Sequence, residues 1–196
     1  NEGLIEGLDN VQEIKPLQLR DTSRWMDVWL QHEIEPPRLR AITSGCSGGT
    51  TFEPGGGVVK SALRVTPQQV MRLMQELSHS AVLYKRAGGL HVAALADGDQ
   101  LICVAEDIGR HNAVDKIAGY MFLNGIAPED KIFYTTGRLT SEMVIKTVQM
   151  GIPILVSRSG FTAWGVELAR QAKLTLVGRA KGKRFIALSG EERIVF

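Results

Sequence analysis

The sequence predicts an α/β protein: a mostly parallel sheet with helices on its faces, preceded by a smaller β-rich portion. Two observations carry that prediction. From Leu101 onward, short and continuously apolar stretches alternate with amphipathic ones: strand Leu101 to Ala105, helix Asn112 to Leu123, strand Lys131 to Thr135, helix Thr140 to Met150, strand Pro153 to Val156, helix Thr162 to Ala172 and strand Leu174 to Val177. Strands that are apolar throughout are covered on both faces, and helices between them act as the right-handed crossovers that parallel strands need. The helix ends agree, since Gly151 and Pro153 follow the second helix and Lys173 closes the third. With 196 residues, 44% of them hydrophobic, the chain is long enough to bury a substantial core.

Before this regular part the signals are shorter. Val11 to Leu19 and Arg24 to Leu30 alternate partially around Asp21-Thr22-Ser23, which predicts a hairpin or meander, and Pro36-Pro37 ends it. Leu39 to Thr43 leads into a glycine-rich loop, Ser44-Gly45-Cys46-Ser47-Gly48-Gly49, followed by Gly55 to Gly57. The expected division is therefore 1–60 as a remnant of a β-rich subdomain with the cysteine loop, and 61–196 as the α/β domain. Thr66-Pro67-Gln68-Gln69 carries a hydroxyl cap, a proline at the first helical position and a glutamine at the third, so a helix begins there. Its buried stripe is Val70, Leu73, Met74 and Leu77. Leu90 to Ala96 and Gln100 to Ala105 flank Asp97-Gly98, a hairpin signal. Lys183 to Leu188 and Arg193 to Phe196 read as terminal antiparallel strands.

Composition excludes several classes of function. The 23 basic and 21 acidic residues are too evenly matched for a general nucleic-acid binder, so any basic site is local. Two cysteines, Cys46 and Cys103, are too few for a disulfide framework and suit a reducing cytoplasmic setting. No apolar run is long enough to span a bilayer, so no membrane partner is expected. Neither a phosphate-binding Gly-x-x-x-x-Gly-Lys-Ser/Thr loop nor a metal site stands out. The opening Asn1, with no methionine, leads to the expectation that a segment lies upstream.

The candidate site gathers at strand ends, where parallel sheets hold ligands. Glu106-Asp107-Ile108-Gly109-Arg110-His111-Asn112-Ala113-Val114-Asp115-Lys116 falls where a strand hands over to a helix, and a helix start favours anions. A well-capped helix with a solvated first turn is the plain alternative there. Later loops repeat the pattern of an arginine beside glycine or hydroxyls: Gly137-Arg138, Ser157-Arg158, and Gly178 followed by Arg179-Ala180-Lys181-Gly182-Lys183-Arg184. Guanidinium groups gathered on one edge repel one another unless an anion is bound, which points to a di- or multiphosphate ligand. His91 opens a strand after a double glycine and is either a satisfied structural histidine or part of this edge. Cys46 is the candidate thiol nucleophile, against an ordinary surface cysteine, and Cys103 reads as core.

The Glu106 to Lys116 stretch, with Gly88-Gly89-Leu90-His91-Val92-Ala93-Ala94, Gly137-Arg138-Leu139-Thr140-Ser141-Glu142-Met143-Val144 and Leu174-Thr175-Leu176-Val177-Gly178, resembles the formate dehydrogenase accessory (FdhD) family over essentially the whole chain. The resemblance implies a cytidine-deaminase-like three-layer α/β/α fold without zinc. It also implies a cytoplasmic sulfurtransferase that takes sulfur from a cysteine desulfurase as a cysteine persulfide. The acceptor implied is the molybdenum bis(molybdopterin guanine dinucleotide) cofactor, bound as substrate and destined for the formate dehydrogenase apoenzyme. A nucleotide resembling GDP is then an expected ligand and a homodimer an expected state. By residue, the resemblance makes Cys46 the persulfide carrier and associates Arg179 to Arg184 with the cofactor. Where the family pattern has a second loop cysteine, this chain has Gly49. A single thiol can still hold and pass on a persulfide.

Overall fold

The computed structural model describes residues 57–196 and, ahead of them, the backbone of four short strands. β1 (Val11–Pro16) pairs antiparallel with β2 (Met26–Leu30), as the alternation around Asp21 predicts. β3 (Ala41–Ile42) pairs antiparallel with β4 (Thr50–Thr51). Cys46 and Gly49, which fall between them in sequence, lie outside the described residues.

The described domain runs α1 (Pro67–Ser80), α2 (Val82–Ala87), β5 (His91–Asp97), β6 (Gln100–Asp107), α3 (Arg110–Leu123), β7 (Lys131–Thr135), α4 (Ser141–Gln149), β8 (Ile154–Ser157), α5 (Ala163–Gln171), β9 (Thr175–Lys181), β10 (Arg184–Ser189) and a 3-10 turn at Glu191–Arg193. Six strands form one sheet in the order β10-β9-β8-β7-β5-β6. β7, β8 and β9 are parallel neighbours. β5 runs against both β7 and β6, so β6 points the same way as the parallel three. Four of the six strands thus end on one edge of the sheet.

Strand alternation divides the core in two. Val92, Ala94, Ala96, Ile132, Tyr134, Ile154 and Val156 face α1 and pack on Val70, Leu73, Met74 and Leu77. Each of those helix side chains contributes about 1.5–3 kcal/mol by leaving water. Ala93, Leu95, Phe133, Leu155 and Leu176 face the other way and meet Ala113, Val114 and Ile117 of α3, Met143 and Val144 of α4 and Ala169 of α5. This is the expected three-layer α/β/α arrangement. Thr66 starts α1 with a complete capping box, its hydroxyl taking the Gln69 amide at 3.2 Å while Gln69 takes the Thr66 amide.

Several boundaries differ from the sequence reading, each for a local reason. α3 begins at Arg110 rather than Asn112, because the Asp107 carboxylate takes the Gly109 amide at 2.9 Å and turns the chain at once. β8 includes Ser157, and β9 continues through Gly178 and Arg179 to Lys181, so part of the basic stretch is strand. The stretch 193–196 is not an antiparallel strand. Gly190, in the left-handed region at φ 64°, opens the 3-10 turn, and Ile194 makes only a parallel bridge to Val65. Buried Arg193 fixes that turn by donating to the Lys173 carbonyl at 2.9 Å and to Thr175 Oγ1 at 3.2 Å. α2 has no counterpart in the sequence reading. Among the described residues no helix is long and apolar enough to cross a membrane.

Candidate functional site

The site forms on the edge where β6, β7, β8 and β9 end. Because β5 is reversed, its first residue belongs to the same edge: His91 is opposite Asp107, and Ala93 is opposite Thr135. His91, which the sequence left open, is therefore a member of the strand-end cluster by topology.

Hydroxyl groups tie the loops of this edge together. Thr136 accepts the Val92 amide at 2.9 Å and returns its own amide to the Val92 carbonyl at 2.8 Å. The Gly137 amide donates to Thr135 Oγ1 at 3.0 Å. Ser157, fully buried, donates to the Gly137 carbonyl at 2.6 Å and accepts the Ser159 amide at 3.0 Å. Ser159 donates in turn to the Thr136 carbonyl at 2.8 Å, and its own carbonyl accepts the Arg179 amide at 3.0 Å. Gly137 and Ser157 thus serve the backbone of the edge.

Arg110, the first residue of α3, lies along Gly137: a Cβ added there would sit 3.1 Å from Arg110 Cβ. A side chain at 137 would require Arg110 or Thr135 to give way by a few tenths of an ångström. The Arg110 guanidinium is 3.6 Å from Glu142 Oε2, and its Nε is buried without a partner among the described residues. His111, one residue on, is also buried, with Nε2 3.1 Å from the same Glu142 oxygen. Asp115 and buried Lys146 complete the α3–α4 contact through two bonds of 2.9 and 2.8 Å.

Burial, reinforced by the Arg110 charge, holds both His91 and His111 below the ordinary histidine value, with Glu142 pulling His111 partly back. Both influences favour the uncharged imidazole. Among the described residues the edge offers a part-buried cation with an unused donor and two histidines near it. Such a combination can hold an anion and take up protons as it does so.

Asn112 is engaged otherwise, since its amide donates to Asp107 at 3.1 Å. Asp107 also pairs with Lys116 at 2.7 Å, and this hydrogen bond, with that from Gly109, holds its carboxyl below the ordinary aspartate value. Much of the Glu106 to Lys116 stretch therefore builds the strand-to-helix junction. Arg138 is exposed and Arg158 half-exposed on the neighbouring loops. Arg179 is exposed, adopts the left-handed region at φ 53°, and lies over the Phe161 ring at 5.9 Å. Ala180 turns inward to the core on the α1 face. Lys181, Gly182, Lys183 and Arg184 form the exposed turn of the β9–β10 hairpin, farther along the chain than the Arg110 cluster.

The sequence reading missed Glu142 and Lys146 as members of the site's supporting network. The available signal was their spacing: they form an i, i+4 pair on the crossover helix that follows the one carrying His111 and Asp115.

The sequence profile of the FdhD/NarQ family matches residues 1–195. A sulfur carrier protein FdhD from Staphylococcus haemolyticus is 33% identical over 192 residues, covering 93% of this chain and 73% of the relative. One of the same description from Bacillus licheniformis is 34% identical over 162 residues, covering 80% of this chain and 62% of the relative. The crystal structure of a proposed formate dehydrogenase accessory protein from Desulfotalea psychrophila superposes with a TM-score of 0.68 at 31% identity. It covers 81% of this chain and 70% of that one.

Proposed function

The chain belongs to the FdhD/NarQ family, and from that premise we propose that it is a sulfur carrier for formate dehydrogenase maturation. Its cargo site is the Arg110 edge and its carrier thiol is Cys46. The observation that carries the reading is Arg110, whose stem lies along Gly137 and whose Nε is buried with no partner among the described residues. A polyphosphate-bearing cargo such as the bis(molybdopterin guanine dinucleotide) form of the molybdenum cofactor suits that donor set. Arg138, Arg158 and Arg179 on adjoining loops, and the Lys181 to Arg184 turn, add charge for its remaining phosphates.

In loading, the Cys46 thiolate attacks the terminal sulfur of a persulfide on a cysteine desulfurase, and the desulfurase thiolate leaves. No net oxidation occurs. In delivery an electron-pair donor atom of the cargo intended for the formate dehydrogenase apoenzyme would attack the outer persulfide sulfur, supplying the electrons of the new bond, while the S–S bond breaks and Cys46 leaves as thiolate. A homodimer, in a cytoplasmic setting, would shield the persulfide from water and oxidants.

A second reading, a chaperone that escorts the cofactor without sulfur transfer, draws on one feature: Gly49 leaves Cys46 as the single thiol of its loop. The experiment that separates the two is intact-protein mass spectrometry after incubation with a cysteine desulfurase and cysteine. A gain of one sulfur, lost in Cys46→Ala, is expected. No gain, with GDP still raising the melting temperature, selects the chaperone. No thermal shift by saturating GDP, or a shift undiminished in Arg110→Ala, removes the cargo site from both readings.

A further inference from the structure

Five ionisable side chains meet where α3 packs on α4: Arg110, His111 and Asp115 from α3, Glu142 and Lys146 from α4. Among the described residues Lys146 pairs with Asp115, and Arg110 lies 3.6 Å from Glu142. His111 is left as the one member whose charge is not fixed.

An ionised carboxylate only accepts hydrogen bonds, so a neutral His111 facing it at 3.1 Å carries its proton on Nε2, and its Nδ1 keeps a lone pair. Glu142 sits in the first turn of α4, where a negative charge is favoured. Capping alone would leave it in solvent. Instead it is buried, with its Oε2 shared between an imidazole and a guanidinium.

We propose that Glu142 is the positioning residue of the sheet-edge site: it fixes His111 as the Nε2–H tautomer and supplies the buried counter-charge that lets His111 take a proton on Nδ1 when an anion arrives beside Arg110. This rests on the reading of the edge as an anion site. The step balances simply: one proton leaves solvent for Nδ1, Glu142 stays ionised and becomes the partner of the imidazolium, and nothing is oxidised or reduced. Among the described residues the charged groups around His111 are Arg110 and Asp115 on its own helix and Glu142 and Lys146 on α4. Asp107, at the end of β6, is occupied by Lys116. His91, on β5, also feels the Arg110 charge.

The test is the affinity of the full chain for inorganic pyrophosphate between about pH 5.5 and about pH 8, in the native chain and in Glu142→Gln. The native chain is expected to bind more tightly as pH falls. In Glu142→Gln the dependence loses about one proton, so affinity drops about tenfold at the acid end and stays the same or rises slightly at the alkaline end. A merely structural role would lower affinity equally at every pH, and that result, or an unchanged slope, overturns the proposal. Imidazole nitrogen NMR supplies an independent readout: a proton on His111 Nδ1 in the native chain at alkaline pH also overturns it. Failure of the native chain to bind pyrophosphate at any pH sinks the anion-site reading together with this one. A failure confined to the variant comparison sinks this one alone.

Discussion

Gly137 shows how much of the site depends on a missing side chain. A methyl group there would press on Arg110 Cβ at 3.1 Å and Thr135 Oγ1 at 3.3 Å, both inside a packed edge. Gly137→Ala is expected to cost about 1–3 kcal/mol by overpacking. It should also weaken GDP binding, because Arg110 must give way. Urea denaturation and a nucleotide titration check the two effects, and native-like affinity would show that Arg110 keeps its place. The residue types at this edge were legible in the sequence: Arg110, His111, Gly137 and Ser157 stand beside one another because strand ends and their loops declare themselves by composition. Glu142 was not legible, because an acid in the first turn of a helix reads as an ordinary cap until the facing helix is known. Asn112 illustrates the reverse error of attribution, a polar residue in a ligand-like stretch whose amide goes to Asp107.

Among the elements, α2 was hidden because six residues are too few to display a helical period, and Val82 and Leu83 are exposed rather than buried. What starts it is distant in sequence. The carboxylate of Glu106, on β6, accepts the amides of Leu83 at 3.0 Å and Tyr84 at 2.6 Å, a cap delivered from the neighbouring strand. Gly88 ends it in the left-handed region at φ 73°. Glu106→Ala is expected to cost about 1–2 kcal/mol and to speed amide exchange at Leu83 and Tyr84 first. Unchanged exchange there would mean that α2 persists without the cap. The strands themselves were readable one by one, since each is a short apolar run between turn residues. Their order was not, because the hairpin β5–β6 enters the sheet with β5 innermost, and no local pattern specifies which member of a hairpin faces the parallel strands.

At the scale of the whole molecule, stability should fall on both sides of a neutral plateau. His91 and His111 bind protons more weakly folded than unfolded, so their contribution is present above the ordinary value of 6.5 and is lost as pH falls through their lowered values. Asp107 follows the same sign at lower pH, below its ordinary 3.8. Burial raises the Tyr134 hydroxyl, and against the opposing effect of burial the bonds to Asp130 and Asp97 raise Lys131, so both contributions are lost as pH rises past the alkaline range of the unfolded groups. Melting temperatures across the pH range should show the first decline just below 6.5, and a profile flat from neutral to pH 4 would contradict the burial of the two imidazoles. The lacing of the edge by Thr135, Thr136, Ser157 and Ser159 has a kinetic consequence. Loops already bonded to one another have no shape left to search for, so capture of a small anion here should be a single encounter, with a rate that climbs linearly with ligand concentration and never saturates on a slow closing step.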